Sequence, residues 1–461
     1  MKTTFVLLLL APALMAEKLP PPAEQQFARE IYKEMIEINS SVMTGTTTPV
    51  AQALAARFRA AGFPESDIFL GGPVPGKWNL VVRYHGTGGP LKPILLLAHT
   101  DVVEAKKEDW SPDLDPFKFL ERDGYFYGRG TLDDKAQGAI WAATLIRFKR
   151  EGYKPDRDLI AAFTADEEGG NYNGVRWLIE NHKDLIGADF ALNEGGGGEM
   201  VNGKKISLNV QVAEKYVMNV RLEVRNKGGH SSVPLPDNAI YHLADALSKI
   251  SHYNFPLRSN EVTKAYFSQL AKTETGPVVE SLRQIGEGSE QAMSKVAAQY
   301  PRWNSMLRTT CVATMLEGGH ATNALPQLAA ATVNCRVMPE DTPEYVLGEL
   351  KKAIGDDEVS VKPSRVSNPV PGSALRPDLM KQITRITDTL WPGVVVIPSM
   401  STGATDGKAL RAAGIETYGV SGLFGERGES RAHGQDERMV VSSFYQGQVF
   451  LYDLVKALST P

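Results

Sequence analysis

Pro93-Ile94-Leu95-Leu96-Leu97-Ala98 runs directly into His99-Thr100-Asp101. An unbroken apolar run of this length predicts a strand buried on both faces, as in a parallel sheet. Asp158-Leu159-Ile160-Ala161-Ala162-Phe163 and Asp189-Phe190-Ala191-Leu192 have the same character, and helix-like stretches fall at 136–149 and 175–181. Strand, helix and strand in repetition predict an α/β fold: an open, mostly parallel sheet with helices on both faces.

The period changes at residue 216. Met218, Val220, Leu222 and Val224 alternate with Asn219, Arg221, Glu223 and Arg225, and Val333, Cys335 and Val337 alternate with Asn334 and Arg336. Strict period two predicts antiparallel strands with one wet face. Helix-like stretches lie between them at 238–250 and 278–298, and parallel-sheet character returns at 394–397 and 416–420 before an amphipathic helix from about residue 442. The chain has 461 residues, more than one core usually supports. The expected division is a catalytic domain over 17–213 and 340–461, interrupted by a smaller α+β lid or dimerisation domain over 214–339.

Lys2, the apolar run 5–14 and the small residues Ala11, Ala13 and Ala16 have the form of an export signal ending at residue 16. That predicts a periplasmic or secreted protein. The apolar run is shorter than the ~20 residues a spanning helix needs. A net charge of −4 gives no reason to expect nucleic acid or an anionic membrane as a partner. Two cysteines, Cys311 and Cys335, flank Gly318-Gly319 on strand-like stretches. They could face each other across a hairpin as a disulfide, or stay as two buried thiols.

The chemistry gathers where apolar strands stop, which is where ligands bind in open α/β sheets. After the first strand come His99 and Asp101, after the second Asp166-Glu167-Glu168-Gly169-Gly170, and after the third Glu194 and four glycines. Gly128-Arg129-Gly130-Thr131-Leu132-Asp133-Asp134-Lys135 opens a helix, and Arg431-Ala432-His433-Gly434-Gln435-Asp436-Glu437 lies near the end. Singly, each has a plainer reading: a hydrogen-bonded His and Asp, a solvated Glu pair, an acidic helix cap. No Gly-x-Ser-x-Gly elbow occurs, and Gly128-x-Gly130 completes no phosphate-binding fingerprint. Together, several strand-end acids without a matching basic cluster repel one another, and cations would relieve that repulsion. Two imidazoles with carboxylates suit zinc, with cobalt or manganese as substitutes.

In this order and over nearly all of 25–461, these motifs resemble the dinuclear zinc family that includes glutamate carboxypeptidase, succinyl-diaminopimelate desuccinylase, aminoacylase and carnosinase. The likeness is strongest to the carboxypeptidase and N-acyl-amino-acid hydrolase branch. The resemblance implies a pair of zinc ions, with His99 and Glu194 on one, Glu168 and His433 on the other, and Asp133 bridging through a residue whose bond to Asp134 is cis. It implies Asp101 as the carboxylate orienting His99, Glu167 as general base, and His230 of Gly228-Gly229-His230-Ser231-Ser232 as oxyanion donor. In dimeric relatives that histidine reaches in from the neighbouring subunit, so action within one chain and across a homodimer both stay open. Arg336 matches the arginine that clamps a substrate carboxylate, and Asn323 a substrate-contacting asparagine. Asp406, in Gly403-Ala404-Thr405-Asp406-Gly407, matches a family motif without an assigned role. The expected activity is hydrolysis of the amide bond of small peptides or N-acyl amino acids with a free carboxylate. The alternatives are an aminoacylase rather than a peptidase, or a non-catalytic relative that binds peptides.

Overall fold

The computed structural model describes residues 18–460; the expected export signal lies outside them. Strands Ile94–His99, Leu159–Thr164 and Phe190–Asn193 are buried along their whole length and pair in parallel. Glu416–Gly419 extends them in parallel beyond Phe190–Asn193. The parallel centre continues outward into antiparallel neighbours, Asn79–Tyr84 and Ile68–Gly71 on one side. On the other, the long strand Lys204–Glu214 carries Val395–Ser401 in parallel and Gly198–Val201 antiparallel.

The unbroken apolar runs are explained by what covers them. Leu96, Ala98, Ala161 and Phe163 face one core, shared with helices Pro22–Glu37, Lys135–Glu151 and Val441–Leu458. Leu95, Leu97, Ile160 and Ala162 face the other, with Val175 and Leu178 of helix Gly174–Asn181. A strand between two helical layers has no wet face, so nothing selects for alternation.

Tyr216–Arg225, Leu328–Val337, Thr310–Gly318 and Ser360–Val366 form a separate antiparallel sheet. Its alternating apolar residues pack under helices Ala239–His252 and Pro343–Ile354. Here the boundary expected at residue 339 falls short: Ser360–Val366 pairs with Tyr216–Arg225, which keeps the chain in the small sheet to residue 366. The stretch 278–298 is two helices, Val278–Gly286 and Glu290–Gln299. Gly288 at φ +92° breaks the run and the Ser289 side chain caps the second helix.

These helices do not join the small core. With Tyr266, Phe267 and Leu307 they pack on Val395 and Ile397 of the large sheet. Cys311 and Cys335 are directly opposite in register and form a disulfide. Thr310–Gly318 is an edge strand, and it exposes Val312, Met315 and Leu316. Among the described residues no helix is long and apolar enough to cross a membrane.

Candidate metal centre

The large sheet delivers its acids and imidazoles to one edge. His99 ends its strand, Glu194 follows the strand ending at Asn193, and Glu168 follows the strand ending at Thr164. Asp133 precedes the helix that starts at Lys135. His433 comes from the loop before Arg438–Val440 and is held at φ +62°. That left-handed conformation is uncommon outside glycine and collects at functional sites.

Two groups of three result, and they share Asp133. His99, Asp133 and Glu194 offer ligand atoms within 4.8 Å of one another, as do Asp133, Glu168 and His433. His99 Nε2 lies 2.9 Å from Asp133 Oδ1 and 3.8 Å from Glu194 Oε2. His433 Nε2 lies 3.1 Å from Asp133 Oδ2 and 2.8 Å from Glu168 Oε1. One oxygen of Asp133 therefore faces each imidazole, the arrangement a bridging carboxylate requires. The bond from Asp133 to Asp134 is cis.

The electrostatics fit a pair of cations. Burial, then the charges of Asp133 and Glu167, push the Glu194 carboxyl well above its ordinary range despite His99. Burial, with Asp406, Glu168 and Asp101, pushes Glu167 up to about 9. Hydrogen bonds to Asp133 and Glu168 raise His433 to about 10. Burial disfavours a charge on His99, yet its bond to Asp133 and the field of Glu194 raise it well above the ordinary value. Without a bound cation, these shifts favour protons on both imidazoles. Divalent ions would displace those protons, since neutral imidazole and ionised carboxylate are the ligating forms.

Asp101 stands beside His99 and also braces the Glu167-Glu168 turn. Its carboxylate accepts the backbone N–H groups of Glu167 at 3.1 Å and Glu168 at 3.0 Å. The nearest partner of His99 Nδ1 is the Asp101 carbonyl oxygen at 3.0 Å, whereas the carboxylate is 3.7 Å away. A single buried residue thus orients His99 through its backbone and the Glu167-Glu168 turn through its side chain.

The other expected residues lie on the small antiparallel sheet and on or beside a separate two-stranded ribbon, apart from this cluster. His230 is exposed on a two-residue strand paired with Ala324–Leu325, and its Nδ1 meets Ser232 Oγ at 2.7 Å. Asn323 is beside it, its carbonyl accepting from Ser231 N–H. No hydrogen bond or ion pair links His230 to the metal ligands among the described residues. Arg336 lies half-buried opposite Val217 and Thr310, without a carboxylate partner among the described residues.

Two supports were not read from the sequence. Glu437 is fully buried and pairs with Arg129 at 2.7 Å. Its oxygens accept the backbone N–H groups of Gly130, Leu132 and Asp133. Asp166, at φ +56°, pairs with Lys77 at 2.6 Å and sets the turn before Glu167. Positive φ at a non-glycine leaves no mark in a single sequence. The only trace of Glu437 was its place four residues beyond His433.

The sequence profile of peptidase family M20/M25/M40 matches residues 95–457. The chain is 30% identical over 406 residues to a probable carboxypeptidase S-like 2 of Dictyostelium discoideum, covering 86% of this chain and 77% of that one. It is 29% identical over 407 residues to the human N-fatty-acyl-amino acid synthase/hydrolase PM20D1, covering 86% and 80%. In fold it is similar to the metallo-carboxypeptidase Sso-CP2 of Sulfolobus solfataricus, with a TM-score of 0.67 at 18% identity over 93% of this chain and 98% of that one. With the profile spanning both halves of the large sheet and all five clustered ligands, the chain is a metallohydrolase of peptidase family M20/M25/M40.

Proposed function

We propose that the protein hydrolyses the amide bond of small N-acyl amino acids or short peptides that carry a free carboxylate, using two zinc ions. The observation that carries this is the pair of three-residue ligand groups sharing Asp133, with Glu167 next to ligand Glu168. Nitrogen and oxygen ligands in these numbers suit zinc, with cobalt or manganese as substitutes. When bound, such a pair polarises the carbonyl and lowers the pKa of water.

The chain's own groups supply the rest. Glu167 takes a proton from the attacking water and passes it to the leaving nitrogen. Arg336 holds the carboxylate, since a guanidinium without a partner matches it in shape and charge. His230 donates to the carbonyl oxygen as charge develops there. It lies on an exposed two-stranded ribbon separate from the small sheet, so either closure of that region or a second copy brings it in. A homodimer formed on the open edge of Thr310–Gly318 suits the exposed Val312, Met315 and Leu316. Molar mass in solution, before and after charges are placed at Met315 and Leu316, tests the dimer.

The names of the two relatives support an acyl-amino-acid or carboxypeptidase substrate. Export to the periplasm or beyond is supported by the form of residues 1–16 and by the disulfide, which persists in oxidising compartments. N-terminal sequencing of the exported protein tests it. The activity is tested by dialysis against a chelator, metal analysis and a panel of N-acetyl amino acids, N-acyl lipids and dipeptides. Turnover lost on dialysis and restored by zinc supports the reading. Full activity after stripping, or bound metal without turnover of any amide, rejects it.

A further inference from the structure

A cavity of about 220 Å³ opens beside the ligand Glu194. Gly195, Asn209, Gln211 and Ser399 line its floor on the large sheet, and Tyr266 and Met306 of the packed helical segment form its roof. Gln211 is only 4% exposed, and its amide makes no hydrogen bond among the described residues. Buried polar groups find a partner about nine times in ten, so an unpaired amide lining a cavity marks a place for a ligand group.

The chain reserves room for that amide. Gly195 has φ +99°, and a Cβ built on it would sit 2.5 Å from Gln211 Oε1. Any larger residue would displace the amide from the cavity. Charge is nearly absent from the lining: Arg302 is the one ionic group, and it pairs with Glu199 at 3.3 Å. The cavity also adjoins the carboxylate clamp. Lys215 donates its N–H to Ser401 O, in the lining, and its Nζ to Ser305 O, next to Met306. The charge of Arg336 acts on that same ammonium.

We propose that this cavity receives the side chain of the substrate residue whose carboxylate Arg336 holds, and that Gln211 selects an uncharged hydrogen-bonding side chain of the glutamine or asparagine kind. The amide of Gln211 offers one donor group and one acceptor, the complement of another amide. An apolar side chain of equal length leaves both unmatched. A carboxylate would meet only Arg302, which Glu199 already pairs, and an ammonium would enter without a counter-charge in the lining. This rests on the amide hydrolysis proposed above.

The test compares N-acetylglutamine with N-acetylmethionine, nearly equal in length, on the zinc-loaded full-length enzyme. The expected preference in kcat/KM is about tenfold or more for glutamine. In Gln211→Met the ratio falls to one or inverts. Because the Gln211 amide makes no hydrogen bond among the described residues, its replacement by a side chain of similar length breaks none there. Calorimetric binding of free glutamine and free methionine to the unaltered enzyme reads the pocket without turnover. Tighter binding of glutamine with no hydrolysis of any amide keeps the pocket and rejects the hydrolase reading. Hydrolysis with equal rates for the two substrates, or a ratio unchanged in Gln211→Met, overturns the pocket and leaves the hydrolase.

Discussion

Glu437 holds Asp133 from behind: one of its oxygens accepts the N–H of Leu132 at 2.6 Å and of Asp133 itself at 3.3 Å. The bridging carboxylate is therefore presented by a loop anchored on a second, buried carboxylate, which Arg129 neutralises. Glu437→Ala strands the Arg129 guanidinium in the interior, a loss of about 3–5 kcal/mol. Supports of this kind also change metal affinity about 10- to 100-fold. The denaturation midpoint and the metal content should both fall in Glu437→Ala, and less in Glu437→Gln, which keeps an acceptor. An alanine variant that melts and loads like its parent would show the anchor to be idle.

Glu167 touches neither imidazole, so its loss should spare the ligands. Glu167→Gln should keep its metal while kcat drops about 10²- to 10⁴-fold. Metal content and single-turnover rates measured on the same sample separate the two effects. If kcat survives, another group carries the proton.

Much of this was legible beforehand. The three central strands announced themselves because burial on two faces leaves an unbroken apolar run. Four of the five candidate ligands end or follow such a strand or precede a helix, whereas His433 lies in a loop and is marked only by its residue type and its motif. The small sheet was readable only in part. Tyr216–Arg225 alternates in burial throughout and Leu328–Val337 from Ala331 onward, but Ser360–Val366 is an exposed edge after its second residue and carries no such pattern. Its pairing had to be seen. Helices 261–307 looked like part of the insert by position, and only their packing on Val395 and Ile397 assigns them to the large sheet. Asp101 is legible as the neighbour of His99, but a residue type does not say that its carbonyl lies nearer the imidazole than its carboxylate, at 3.0 Å against 3.7 Å.

Lys215 gives a prediction in pH. It is wholly buried where the large sheet passes into the small one, with Nζ donating to Ser305 O at 2.8 Å and Arg308 O at 2.7 Å. Burial, reinforced by Arg336, lowers its pKa to about 7. An unfolded lysine titrates near 10.4. Between those values the unfolded chain binds more protons, so this residue's contribution to stability rises with pH over roughly 7 to 10 and is lost as pH falls through the folded value. Subtracting Lys215→Met cancels the other groups. The wild type should gain on the variant by ~3 kcal/mol across that window. A flat difference, or one of opposite slope, refutes the assignment.

Arg336 is the sharper test of how substrate is held. It sits on the small sheet opposite Thr310, half-buried, with the Lys215 side chain nearby and no ion-pair partner of its own among the described residues. A half-buried guanidinium without an ion-pair partner carries a desolvation cost that a substrate carboxylate would offset. Arg336→Ala should therefore lower kcat/KM on carboxylate-ended substrates by about thirtyfold or more, the equivalent of 2 kcal/mol for a desolvated charge pair. The loss should fall mainly on KM, because the carboxylate is held equally before and during reaction. Arg336→Lys should restore only part of it, lacking the planar fork. The control is the carboxamide analogue of the same substrate, which presents no charge. Wild type should discriminate strongly against it and Arg336→Ala hardly at all. Equal discrimination in both enzymes would place the carboxylate elsewhere, and with it the direction in which substrate lies across Asp133.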